Sequence, residues 1–129
     1  MNTASKKFIA GCLVVLAGCA TTHSNDALLA SRLVGKWGRT VEVEGGRFET
    51  TAQLAADGTF RTKGVKHTTG GSEPFSTQGV WQVENGVFRW KTAPHQYYMA
   101  HKIVSVSDWQ WIWVENLGGA HGRWWRISE

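Results

Sequence analysis

Residues 80–90 run Val80-Trp81-Gln82-Val83-Glu84-Asn85-Gly86-Val87-Phe88-Arg89-Trp90, with apolar and polar side chains alternating on both sides of Asn85-Gly86. Asn-Gly between two alternating apolar runs favours a two-residue type I′ turn, because both residue types tolerate positive φ. Such a turn sets Glu84 opposite Val87, Val83 opposite Phe88 and Trp81 opposite Trp90. The aromatic residues then share one face, while Val80, Gln82, Arg89 and Lys91 share the other. The aromatic face is the one to be buried.

The same pattern recurs on either side of this hairpin. At Ala56-Asp57-Gly58 a three-residue loop with Gly58 in the left-handed region sets Phe60 opposite Leu54 and keeps the apolar face continuous. Gly45-Gly46 reads as a further turn, pairing Val43 with Phe48, Val41 with Thr50 and Trp37 with Leu54. Gly70-Gly71, Ser107-Asp108 and Gly118-Gly119 punctuate the remainder. Eight short strands are predicted, at about 34–44, 47–55, 59–67, 77–84, 87–92, 97–106, 109–115 and 123–128. Successive hairpins make a meander, and an eight-stranded meander removes its exposed edges by closing. The expected fold is all-β: a small antiparallel up-and-down barrel. A short helix from Asn25 or Asp26 through Arg32 precedes it, with Leu28, Leu29 and Leu33 on its apolar side.

The N-terminus has a different texture. Lys6 and Lys7 precede an apolar run from Phe8 to Ala17, followed by small residues, the order of a secretory leader. The run falls short of the ~20 residues needed to span a bilayer. Leu16-Ala17-Gly18-Cys19 resembles the lipobox of bacterial lipoproteins. Ile9-Ala10-Gly11-Cys12 is similar, but cleavage there would leave almost no apolar region behind it. The resemblance implies a signal peptide at 1–18, a lipidated Cys19 with a polar tether over 19–25, and one domain over 26–129. Palmitate-type acyl chains on Cys19 would hold the protein to a membrane. Ala20, where Asp would favour inner-membrane retention, implies a lipid-anchored location in the cell envelope, at the outer membrane facing the periplasm.

Composition narrows the function classes. The chain carries 14 Lys+Arg and 10 Asp+Glu, and losing Lys6 and Lys7 leaves a net charge of +2. The basic residues are scattered singly, so no nucleic-acid footprint is expected. There is no Gly-x-Ser-x-Gly elbow, no nucleophilic cysteine after processing and no phosphate loop, so no enzyme is expected. His23, His67, His95, His101 and His121 lack ligand spacing and read as solvated or capping residues, with no metal and no cofactor.

Gly35-Lys36-Trp37 after a short helical lead-in resembles the first strand of the lipocalins and the wider calycin superfamily. Leu54 to Phe60 and Gly79-Val80-Trp81 before Asn85-Gly86 are similar to small bacterial lipocalin-like domains. The resemblance implies structural roles for Gly35 and Trp37. It also implies a basic side chain, Arg123 or Arg126, stacked over Trp37 at the closed end.

Eight tryptophans are the unusual feature of the composition. Trp109, Trp111 and Trp113 alternate along one predicted strand and would project from one face. They read either as core, or with Trp81 and Trp90 as the wall of a ligand cavity, or as an outward patch. A mostly filled barrel with a small or shallow pocket is expected. Arg39, on the inward face beside Ala52, would meet an acidic headgroup or form a rim salt bridge. The leading expectation is a membrane-tethered barrel taking up a small apolar or amphipathic ligand. The alternative is a protein-binding envelope module, an inhibitor of a lytic enzyme or an immunity protein, acting through loops 67–76 or 93–98 or an aromatic patch.

Overall fold

The computed structural model describes residues 25–94 and 97–127. The leader, Cys19, most of the tether, His23 and His95 lie outside the described residues. Helix α1 (residues 25–33) leads into β1 (Gly35–Val43), β2 (Gly46–Leu54), β3 (Thr59–Thr68) and β4 (Gly71–Glu84). Strands β5 (Val87–Thr92), β6 (Met99–Val106), β7 (Gln110–Val114) and β8 (His121–Arg126) follow. Each strand pairs antiparallel with the next, and β8 returns to β1, giving a closed barrel in meander order. No helix among the described residues is long and apolar enough to cross a membrane.

The Asn85-Gly86 hairpin has the expected register, with Glu84 on Val87, Val83 on Phe88 and Trp81 on Trp90. Both turn residues have positive φ, 54° and 74°. Leu54 faces Phe60 across a loop whose Gly58 sits at φ 89°. Asp57 Oδ1 ties this loop by accepting from the Thr59 N–H and hydroxyl at 3.0 and 2.7 Å.

Two hairpins depart from expectation. The first turn is Glu44-Gly45, so Val41 faces Phe48 and Trp37 faces Ala52. The cause is that the two glycines have different tasks. Gly45 takes the positive φ, 81°, while Gly46 lies in β2 where a Cβ would meet the His67 carbonyl oxygen at 1.9 Å. The slip is two residues in pairing, so every side chain keeps its face. The second departure is β4, which begins at Gly71 and not near 77, so most of the expected loop 67–76 is hairpin. Pro74 is accommodated because β5 joins β4 only from Gly79 onward, so that among the described residues 71–77 pair with β3 alone.

Helix α1 crosses one end of the barrel and closes it. Its Asp26 carboxylate accepts from the backbone N–H of Asn85 and Gly86 at 2.9 and 3.0 Å, while Leu33 is fully buried. Leu28, expected on its apolar side, is half exposed. The Trp37 indole donates to the Leu33 carbonyl at 2.8 Å. Arg126 lies over the Trp37 ring, 4.2 Å from its centroid, and donates to the carbonyls of Val34, Arg32 and Asp108 at 3.1, 2.5 and 2.8 Å. Gly35 has no side chain to obstruct it: a Cβ there would stand 2.6 Å from the guanidinium. Arg123 is on the outer face of β8, exposed and opposite Ile112, so the stacking role falls to Arg126.

Above this plug sits a core of Leu33, Trp37, Ala52, Leu54, Phe60 and Trp81, continued by Phe88, Trp111, Trp113 and Trp124. The rings meet edge-on, tilted or stacked at 4.8–6.0 Å, as in Phe88 against Trp111 at 4.8 Å and Trp37 against Trp111 at 5.8 Å.

Candidate functional site

The aromatic packing stops short of the opposite end. There, on the side turned away from α1, a cavity of about 430 Å³ opens between β1, β2, β3, β4, β5, β6 and β8. Its apolar wall comprises Val41, Val43, Phe48, Phe75 and Met99. Phe48 and Phe75 form an edge-on pair at 5.8 Å, and Phe75 fits because Gly64 opposite it carries no side chain. Thr50, Thr62, Thr77 and Thr92 add a polar strip, in which the Thr62 and Thr77 hydroxyls bond each other. Trp90, Trp124 and Arg39 form the floor and remaining side. Arg39 faces Thr50 in the sheet, not Ala52, as follows from the shifted first hairpin.

Arg39 is not a free cation. Its two terminal nitrogens donate to both oxygens of Glu115 at 2.8 and 2.9 Å, and its guanidinium covers the rings of Trp124 at 4.6 Å and Trp113 at 5.2 Å. Glu115 also accepts from the Trp113 indole at 2.5 Å. The Arg39 bonds, ahead of any opposing effect of burial, hold the Glu115 carboxyl below the usual carboxylate range. Glu115 follows β7, and its carboxylate reaches Arg39 across β8 at Gly122, where a Cβ would stand 2.0 Å from Oε2. The position of this ion pair is informative. Among the described residues β1 and β8 pair only at Trp37–Arg126 and Gly38–Trp125, so their outer halves part. A second hollow of about 430 Å³ occupies that gap, lined by Thr40, Glu42, His121 and Arg123, and Arg39 borders both spaces. The pair is thus the partition between the barrel interior and the β1/β8 seam.

Of the residues singled out from the sequence, Trp90 and Arg39 reach the cavity. Trp81, Trp111 and Trp113 lie in the packed core, and Trp81 donates to the Ala55 carbonyl at 3.0 Å. Trp109 does not share their face. It precedes β7, is 59% exposed, and stacks on the outward Trp125 at 5.4 Å. It stands in the bend Asp108-Trp109 at the tip of the β6–β7 connection, outside the strand alternation. Cavity residues missed in the sequence include Trp124, Phe75 and Met99, together with the Glu115 partner of Arg39. Trp124 and Trp125 are adjacent, one inward and one outward, and the irregular connection between β7 and β8 leaves their parity unreadable. His101 is likewise inside the barrel rather than solvated. Its ring stacks on Trp113 at 3.8 Å, Nδ1 donates to the Val114 carbonyl at 2.9 Å, and burial pushes its pKa down. Among the described residues no group of three or more His, Cys, Asp or Glu is placed to hold a metal ion.

A scan against protein-family models finds no match for this chain. A comparison with curated proteins finds none either.

Proposed function

We propose that this chain is a lipid-anchored binding protein of the bacterial cell envelope, whose lipocalin-like barrel takes up a small apolar or amphipathic molecule. The observation that carries the reading is the cavity of about 430 Å³ above a solid aromatic core. Its size lies within the roughly 300–1,000 Å³ of small-molecule sites, and an apolar wall with a few placed polar groups is their usual chemistry. The Arg126–Trp37 stack at the closed end supports the lipocalin-like resemblance, and the lipobox supports anchoring through Cys19, outward from the inner membrane. A second reading, a protein-binding module, draws support from the exposed Trp109–Trp125 stack.

Native mass spectrometry of the protein purified from its own envelope tests both parts. The expected result is a chain beginning at acylated Cys19 that carries a small apolar adduct. An unprocessed chain with Cys19 unmodified overturns the anchoring. A barrel that arrives bare, and then fails to bind an apolar fluorescent probe saturably, overturns the cavity reading in favour of the Trp109–Trp125 face.

A further inference from the structure

We propose that the cavity selects uncharged apolar molecules bearing a hydrogen-bond acceptor, such as esters, amides or ketones, over the corresponding carboxylic acids. This inference rests on the ligand-binding reading above and names its substrate class. An arginine on the wall of an apolar cavity invites the opposite conclusion, that it receives a carboxylate. The geometry argues against it. Both terminal nitrogens of Arg39 are engaged by Glu115, and its planar face lies against Trp124 and Trp113. Glu115 is held from a second side by the Trp113 indole. A ligand carboxylate would have to displace Glu115, leaving a half-buried carboxylate without its counter-charge, or lie beside it as a second anion. Either costs affinity, since like charges brought together at a desolvated site are strongly disfavoured.

What the wall offers instead is neutral: the hydroxyls of Thr50, Thr62, Thr77 and Thr92 form its polar strip. The Thr62 and Thr77 hydroxyls already bond each other, and a hydroxyl can turn its hydrogen toward an uncharged ligand oxygen. An acceptor without charge fits both facts, with its apolar body lying among Val41, Phe48, Phe75 and Met99.

The experiment compares methyl decanoate with decanoic acid at pH 7, read by intrinsic tryptophan fluorescence. It uses the full chain carrying Cys19→Ala, which has no acyl group of its own to compete for the cavity. The ester is expected to bind saturably and about tenfold or more tighter than the acid. In Glu115→Gln, which frees the Arg39 charge, that ratio should fall to about one or invert. Near-UV circular dichroism checks that the variant keeps its aromatic packing; where it does not, the ratio in the Glu115 chain decides alone. An acid that binds as tightly as the ester there overturns the charge selectivity while leaving the cavity reading intact. An unchanged ratio in a folded Glu115→Gln chain also overturns it. Absence of saturable binding by both compounds overturns the selectivity and the cavity reading together.

Discussion

Arg126 carries three jobs on one guanidinium. It covers the buried face of Trp37, satisfies two carbonyls at the end of α1, and ties the Asp108 carbonyl of the β6–β7 connection. A planar fork with several donors can do this, and an ammonium cannot. Arg126→Lys should therefore lower stability nearly as much as Arg126→Ala in urea unfolding, by about 1–3 kcal/mol, since unpaired carbonyls remain in both. Rescue by lysine would show that charge alone matters there. Trp37 beneath it is fully buried, and Trp37→Ala should cost about 3–5 kcal/mol. The first two members of the predicted tryptophan triplet separate in the same way. Trp111 is 1% exposed and Trp109 59%. Trp111→Ala should cost about 3–5 kcal/mol, whereas Trp109→Ala should lose little beyond its stack on Trp125, about 0.5–1.5 kcal/mol. Equal losses in equilibrium unfolding would contradict this division.

At the scale of elements, glycines decide which strands approach closely. Gly122 in β8 leaves the slot through which Glu115 reaches Arg39, and Gly122→Ala would put a methyl 2.0 Å from the carboxylate and 2.3 Å from the Trp113 indole nitrogen. Overpacking of this kind costs about 1–3 kcal/mol. The diagnostic is a double-mutant cycle. Once the added methyl of Gly122→Ala has expelled the carboxylate, introducing Glu115→Gln should cost almost nothing further, whereas additive costs would mean the slot is not used. The same close approaches explain what the sequence disclosed. Asn85-Gly86 and Ala56-Asp57-Gly58 are short turns with strong φ demands, so register followed from them residue by residue. At Gly45-Gly46 either glycine could have served the turn, and the choice was made by the His67 backbone in β3, a contact no local pattern encodes. Pro74 and the polar residues beside it looked like loop because nothing local reveals that β5 stops at Thr92 and leaves that part of β4 with a single neighbour. The cavity was the least legible feature, since Arg39 and Glu115 meet over 76 residues of chain and Trp124 depends on the parity of β8.

Over the whole molecule, the barrel is closed in two different ways: by backbone pairing near the plugged end, and by the Arg39–Glu115 ion pair where β1 and β8 part. The second closure depends on pH. Glu115 titrates below its usual range chiefly because of the Arg39 hydrogen bonds, and His101, stacked on Trp113 beside it, titrates below the ordinary histidine value of 6.5 chiefly because it is buried. Each group binds fewer protons in the folded chain than in the unfolded one, so stability rises with pH across its window and falls on acidification. The His101 contribution is complete above pH 6.5 and is lost as pH falls below that value; the Glu115 contribution is complete above 4.5 and is lost below it. Urea unfolding measured from pH 8 to pH 3 should thus show stability declining in two stages. His101→Gln should remove the upper stage alone. Glu115→Gln should lower stability at neutral pH and make the decline below 4.5 shallower, since the group whose protonation breaks the seam is gone and only the exposed carboxyls of Glu49 and Asp57, held low by Arg47 and Thr59, remain to add to it. A Glu115→Gln chain that loses stability below 4.5 as steeply as the unaltered protein would place the acid-sensitive contact elsewhere in the barrel.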